Sequence, residues 1–332
     1  MIKAVRFENY KVLRDTTLPL GTFTLLIGPN GSGKSTAITA LRHAVQGGPS
    51  VPGRQLVSAG ARDQTVSATV EFDPPDDGIQ LQARWTLDSA HGLGVSARAP
   101  QDSQRAQALI SRLQRMRVYS LEPGQLAAAV QPQPSMELGE RGEGLAGVLD
   151  RLRDQHPERF EAFNAEVARW LPEFDRVLFD TVGPGQKALF LRTRRGGHPI
   201  PAWDLSQGTL LALGILTLAY LPEPPPVVGF EEPDRGLHPR LLRDVRDALY
   251  RLAYPKDYGE SRQPVQVIAT THSPYMLDLF RDHLEDIVIA EKKGNEAKFE
   301  PLAKRRDIEQ ILHDAHLGEA WYTGVLGGVP TE

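Results

Sequence analysis

Gly28-Pro29-Asn30-Gly31-Ser32-Gly33-Lys34-Ser35-Thr36 is the stretch on which the reading of this chain turns. Its glycines let backbone amides face a bound anion at close range, Lys34 supplies a neutralising charge, and the Ser35 hydroxyl suits a divalent cation such as Mg²⁺. The spacing Gly28-xxxx-Gly33-Lys34-Ser35 is the full pattern of a phosphate-binding loop. Thr22-Phe23-Thr24-Leu25-Leu26-Ile27 ahead of it is a short apolar run, predicting a strand over 22–28, and Ser35 to Val45 behind it reads as a helix. An ordinary glycine-rich turn would share the composition but not this order of strand, loop and helix.

Away from the loop, residues 2–8 alternate as a strand does. Segments 65–73 and 79–87 are rich in β-branched residues and flank Asp73-Pro74-Pro75-Asp76-Asp77-Gly78, predicting a hairpin. A further strand is expected over 93–98, a helix over 102–116 and strand character at Arg117–Leu121, with no heptad repeat long enough for a coiled coil. Pro123–Gly147, rich in Pro, Gly and Gln, reads as a mostly irregular, mobile connection. Residues 144–170 look helical with an interruption near Pro157, and Arg176–Thr181 and Lys187–Arg194 look like strands joined through Gly183-Pro184-Gly185.

An apolar helix follows Ser206 as far as Leu221, stopped by Pro222–Pro226. Val227-Val228-Gly229-Phe230 then predicts a buried strand, Pro239–Leu252 an amphipathic helix, and Val265–Thr270 another buried strand. A hairpin is expected over 286–291 and 297–302, turning at Gly294-Asn295, with a last helix near 307–317. Strands and helices alternating in this way imply a largely parallel central sheet.

The 332 residues, 40% of them hydrophobic, suffice for one large α/β domain with a smaller lobe. Cysteine is absent, which excludes disulfides, zinc-thiolate sites and cysteine-ligated clusters. A net charge of −4 gives no global field for nucleic acid. The basic stretches Arg192–Arg195 and Lys304-Arg305-Arg306 read as solvated faces. No signal-peptide pattern opens the sequence and the longest apolar run, Leu210–Leu221, is too short to span a bilayer, so a soluble, cytoplasmic protein is expected.

Three further motifs carry chemistry. Glu231 and Glu232 end the Val227–Phe230 run, at the carboxyl end of a strand where ligands of parallel sheets gather. Glu231 suits a Mg²⁺ ion, directly or through water, and Glu232 suits a general base on an attacking water. His272, after the strand Val265–Thr270, can donate to a terminal phosphate or to that water. Leu205-Ser206-Gln207-Gly208-Thr209 opens an apolar helix with Ser206 as N-cap and Gly208 permitting a close approach. Each motif alone also fits an ordinary structural role; with the loop upstream they read as one site.

These four elements, in this order, resemble the ABC-type ATPase superfamily, whose signature motif is represented by Leu205-Ser206-Gln207-Gly208-Thr209. Within it, Phe230-Glu231-Glu232-Pro233-Asp234-Arg235-Gly236-Leu237-His238-Pro239 and Ala269-Thr270-Thr271-His272-Ser273-Pro274 are similar to motifs of RecF-like, OLD-family and related AAA-type ATPases. Phe7-Glu8-Asn9-Tyr10-Lys11 is similar to the first strand of RecF and SMC-like heads. The resemblance covers roughly 1–45 and 200–295. It implies a P-loop NTPase of the ABC-type head: an α/β fold with a mostly parallel central sheet, an antiparallel β subdomain and a helical lobe. Residues 1–100 would form the P-loop and β subdomain, 101–200 the lobe, and 201–332 the rest of the core.

The resemblance also implies a homodimer that sandwiches two ATP molecules, the loop Gly28–Thr36 of one copy facing Ser206, Gln207 and Gly208 of the other. In two places the sequence departs from the pattern: Glu231 stands where an aspartate is usual, and His238 stands at the position of an SMC-like aspartate. Gln125 and Gln131 are both open as the Q-loop glutamine. The expected function is an ATPase switch acting on DNA or a nuclease or effector partner in DNA repair or anti-phage defence. OLD-type nucleases add a Toprim domain, and too little chain follows His272 for one, so a stand-alone ATPase is expected. A slow ATP-binding sensor and, less well supported, a transporter nucleotide-binding subunit are the competing readings.

Overall fold

The apolar run ahead of the glycine loop forms the buried strand it predicts, in a computed structural model that describes residues 1–46, 55–61, 65–85, 96–98 and 103–327. From the amino terminus come β1 (Ile2–Tyr10), β2 (Leu13–Pro19), β3 (Phe23–Ile27) and α1 (Lys34–Gln46). β4 (Val66–Phe72) and β5 (Gln80–Trp85) make the expected hairpin, and β6 (Ser96–Arg98) pairs with β5. α2 (Ser103–Leu113) and β7 (Arg117–Tyr119) follow. The strand character expected at 86–87 and 93–95 lies outside the described residues.

Next are α3 (Pro123–Leu126), α4 (Leu145–Gln155), α5 (Pro157–Trp170), β8 (Phe174–Gly183), β9 (Gln186–Thr193), β10 (Pro199–Pro201) and α6 (Gln207–Tyr220). The chain continues through β11 (Val227–Glu231), α7 (Leu242–Ala253), β12 (Gln266–Thr271) and α8 (Pro274–Asp278). It goes on with β13 (Ile287–Lys293), β14 (Glu296–Pro301), α9 (Ile308–Asp314) and α10 (Leu317–Tyr322). These elements divide between two units, one of Met1–Val118, Pro225–Glu231 and Gln263–Glu332, the other of Tyr119–Pro224 and Glu232–Arg262.

The first unit holds two sheets. The larger runs β14-β13-β3-β12-β11-β7, and its strands β13, β3, β12 and β11 are mutually parallel, with β14 antiparallel at one edge. Every residue of β3 and β12 is buried, which is why they read as continuous apolar runs rather than alternating ones. The second sheet, β2-β1-β4-β5-β6, is antiparallel and carries the alternation expected of a half-covered surface. Ile38 and Leu41 of α1 share one hydrophobic core with Phe7, Val70 and Leu81 of this sheet and with Leu26 and Ile268 of the parallel one.

Two contacts fix how these layers meet. A Cβ on Gly229 of β11 would come within 2.9 Å of Ile38 Cγ2, so α1 rests almost on the strand backbone there. At the opening end of β12, Gln266 is 2% exposed. Its Oε1 accepts from Ile2 N at 3.0 Å, and its Nε2 donates to Ile2 O at 2.6 Å and Gly21 O at 2.8 Å. One side chain thereby satisfies backbone groups from two other segments that burial takes from water.

In the second unit α4 and α5 are one helical stretch broken at His156-Pro157, because proline cannot continue the ladder but tolerates the first turn of a new helix. α5 packs on the β10-β9-β8 sheet, where Asn164 Oδ1 accepts from Val177 N at 2.9 Å. From Thr209 onward α6 is buried except at Leu211, so it has no polar face to show. Glu260 is this unit's charged centre: Arg159, Arg251 and Arg262 all bond its carboxylate, at 2.7, 2.5 and 2.8 Å. Burial pushes the Glu260 pKa up, but hydrogen bonds from Arg159 and Arg251 outweigh it and hold the carboxyl below its ordinary value.

Two sequence expectations need correction. The 123–147 segment is tied down rather than loose: it contains α3, buries Leu126 and Leu138, and anchors Val130 to Lys187 by two backbone bonds. The helix expected over 307–317 is split into α9 and α10 by Ala315, which is fully extended at φ −152°, ψ 167°.

Replacing Gln266 with Leu strands the Ile2 and Gly21 backbone groups, and the thermal unfolding midpoint of the variant should fall, corresponding to a loss of about 3 kcal/mol. For Glu260→Gln the loss depends on pH. A carboxyl whose folded pKa is depressed stabilises above its unfolded value, and that contribution disappears as pH falls through the folded one. Denaturant titrations of wild type and variant should therefore differ at pH 7 and converge as the pH drops below about 4.

Candidate nucleotide site

Register brings the predicted residues together. β3 pairs with β12 so that Ile27 lies beside Thr271, and β12 pairs with β11 so that Thr270 lies beside Glu231. The loop at Gly28, the residue His272 and the carboxylate Glu231 therefore leave the same edge of the sheet, spread over two strand spacings, about 10 Å. Gly28–Thr36, Glu231 and His272 all belong to the first unit, and Glu232 is the next residue along the chain.

The loop has the geometry of an anion cradle. A Cβ at Gly28 would lie 2.3 Å from Ala290 O and 2.5 Å from Ser32 Oγ, so no larger residue fits. Gly31 and Gly33 adopt φ of 75° and 100°, left-handed values that turn successive amides to one side. Lys34 is 6% exposed, and its Nζ donates to Gly28 O at 2.7 Å and Pro29 O at 3.1 Å. Ser32 Oγ is fully buried without a hydrogen-bond partner, a polar atom turned inside the cradle. Pro29 and Thr36 are half-buried and Asn30, Gly31 and Ser35 are exposed, so the outer rim is open to solvent. Ser35 sits in the first turn of α1, whose unpaired amides and dipole favour an anion.

These features fit a nucleotide phosphate. Mg²⁺ also fits in a limited sense: no group of three or more His, Asp or Glu among the described residues could hold a metal by itself. A magnesium ion carried by phosphate needs only one or two protein oxygens, which Ser35 and Glu231 can supply.

Glu231 is the last residue of β11 and half-buried. Glu232 has φ 47°, rare for a residue with a Cβ, and its carbonyl accepts from Arg235 N at 2.9 Å in a tight turn. His272 is half-buried between two locked neighbours. Thr271 Oγ1 accepts from Ser273 N at 2.9 Å, and Ser273 Oγ caps α8 by accepting from Met276 N at 3.2 Å.

Ser206, Gln207 and Gly208 lie in the second unit. Ser206 is the N-cap of α6, with Oγ accepting from Thr209 N at 3.1 Å. Ser206 and Gln207 are exposed and Gly208 half-buried, so this helix end faces solvent. Sequence reasoning missed the residues behind the loop: a Cβ on Gly33 would meet Ala297 Cβ at 2.8 Å and Val12 Cγ2 at 3.2 Å. Neither position has a local signal, since both reach the loop only through sheet pairing and the Ala297 N to Val12 O bond of 2.8 Å. Of the two candidate Q-loop glutamines, Gln125 lies in α3 and Gln131 is exposed in the irregular stretch after it.

Gly28→Ala, which puts a methyl where Ala290 O and Ser32 Oγ already are, should weaken ATP binding at least about tenfold in calorimetric titration. Its thermal midpoint should fall as well, because Gly28 is buried and the added methyl meets the Ala290 backbone, so binding is compared well below the midpoint of the variant.

Residues 79–278, more than half of the chain, match the family described as "AAA domain, putative AbiEii toxin, Type IV TA system". Residues 1–73 match a second, described as AAA ATPase domain. A curated relative, an OLD nuclease of Thermus scotoductus, is 25% identical over 327 residues; the match takes in 85% of this chain and 60% of that protein, so the chain spans less than two thirds of its relative. Among solved structures, an SMC head bound to the C-winged helix domain of ScpA superposes with a TM-score of 0.65 at 14% identity, over 93% of this chain and 99% of that one. The SMC head domain from Thermotoga maritima gives 0.54 at 16%, over 90% and 98%. At these identities the likeness speaks for the fold, that of a P-loop NTPase head. The chain belongs to this AAA domain family and is a nucleotide-binding ATPase.

Proposed function

We propose that the chain is an ATP-driven switch that closes as a homodimer and reopens after hydrolysing ATP to ADP and phosphate. The observation that carries this reading is the shared sheet edge from which the Gly28 loop, Glu231 and His272 emerge. Lys34 and the loop amides hold the phosphates, and Ser35 and Glu231 provide oxygens for the Mg²⁺ that accompanies them. Glu232 orients the attacking water and accepts its proton; His272 donates to the terminal phosphate or the water. Nothing in this set acts as a covalent nucleophile, so the rate enhancement comes from positioning and charge.

The exposed amino end of α6, with Ser206, Gln207 and Gly208, supports the dimer: a second copy can bring that capped helix end to the terminal phosphate, adding amides and a favourable dipole. A contact made only with ATP in place ties assembly to the nucleotide. The output we infer is control of DNA or of a nuclease or effector partner, in DNA repair or anti-phage defence. The similarity to an OLD nuclease and to SMC heads, one of them bound to ScpA, supports that setting. No helix among the described residues is long and apolar enough to cross a membrane, in keeping with the cytoplasmic protein we infer.

The test is Glu232→Gln. With ATP and Mg²⁺ it should shift from monomer to dimer in light scattering while phosphate release falls about a hundredfold or more. Lys34→Ala should do neither. A monomeric Glu232→Gln protein at saturating ATP would refute the dimer.

A further inference from the structure

Gly208 stands at the exposed start of α6, where the proposed function gives its amide to a partner copy's phosphate. Its own chain offers another reason for a glycine there. A Cβ at Gly208 would lie 3.1 Å from Gly236 O, tighter than ordinary van der Waals contact. Gly236 has φ 76°, and a Cβ on it would meet Leu211 Cδ1, one helical turn beyond Gly208, at 3.1 Å. The first turn of α6 and the backbone at Gly236 are therefore packed directly on each other, within one unit.

Gly236 follows the turn that Glu232 opens and lies inside the next one. Glu232 O accepts from Arg235 N at 2.9 Å, Asp234 O accepts from Leu237 N at 3.3 Å, and Pro233 between them is buried. Glu232 holds φ 47°, a conformation strained for a residue with a Cβ that persists only when its surroundings over-determine it. Two overlapping turns, Glu232–Arg235 and Asp234–Leu237, span the five residues from Glu232 to Gly236 and share Asp234 and Arg235, which gives a displacement at Gly236 a hydrogen-bonded route back to Glu232.

We propose that Gly208 is a positioning residue for the ATPase: by letting α6 touch Gly236, it sets the backbone of Glu232 in its own chain, in addition to any contact it makes across a dimer. The proposal rests on the reading that Glu232 handles the attacking water. It separates two roles that a simple Gly208→Ala assay would merge.

Mixed dimers distinguish them. In a mixture of Gly208→Ala chains with Lys34→Ala chains, the competent hybrid site has an intact Gly28–Thr36 loop and Glu232 in the Gly208→Ala chain, and receives a wild-type helix end from the other. In the reciprocal mixture, wild type with a chain carrying both substitutions, the working site has its own Gly208 and receives the altered helix end. The reference is wild type mixed with Lys34→Ala; mixing ratios with excess Lys34→Ala-bearing chain keep homodimers of the other chain rare. Steady-state phosphate release with ATP and Mg²⁺ is measured for each.

The proposal expects kcat of the first mixture to fall about tenfold below the reference with KM for ATP within twofold, since small misplacements of a reacting group cost rate rather than binding. The thermal midpoint of Gly208→Ala should change little, the helix preference of alanine offsetting the closer contact with Gly236 O. A first mixture within twofold of the reference overturns the proposal, and slow turnover confined to the reciprocal mixture would leave Gly208 acting only across the dimer. If no ATP-dependent dimer forms at all, the dimer reading fails separately, and a tenfold lower kcat of Gly208→Ala alone at unchanged KM then supports the action within one chain.

Discussion

Parallel hydrogen bonding of β3 to β12 and of β12 to β11 is the constraint on which the site depends. Its residues come from segments more than two hundred positions apart, and only the register of that ladder makes their exits coincide. Sliding one strand by a single residue would displace its exit by about 3.3 Å and turn its side chains to the opposite face. Burial enforces the register, since β3 and β12 are enclosed throughout and have no polar face to rotate outward. Gln266 adds a polar lock at the far end, where only one alignment lets its amide reach Ile2 and Gly21 together.

Glu231 and Glu232 show how adjacent identical side chains come to be used differently. Glu231 ends an extended strand, and its direction follows from the pleat. Glu232 has left the strand by a left-handed step, so its direction is set by the turn that follows. The different tasks proposed for the two carboxylates thus arise in backbone conformation.

Much of this could be read from the sequence because it is written locally. The Gly28–Thr36 spacing, the apolar runs of β3, β11 and β12, the Ser206 cap and the Pro157 break all depend on neighbours within a few positions. What was hidden depends on partners far away. The left-handed φ of Glu232 is one such feature, since no rule for glutamate anticipates it. Val12 and Ala297 become neighbours of Gly33 only once β1, β2 and β14 are in place. The three arginines on Glu260 come from positions 159, 251 and 262, two of which look like ordinary surface charges in the sequence. The 123–147 segment has the composition of a loop, yet its turns and single bridge to β9 give it order that periodicity cannot register. Extended Ala315 likewise interrupts a pattern that is helical on both sides.

Gly229 makes the approach of α1 to β11 as close as two backbones with one intervening side chain allow. Ile38 lies about one turn beyond Lys34, and Gly229 two residues before Glu231, so this contact sits directly beneath both. The phosphate-holding helix and the acidic strand therefore behave as one girder: neither can tilt without opening a gap in the close-packed core beneath it.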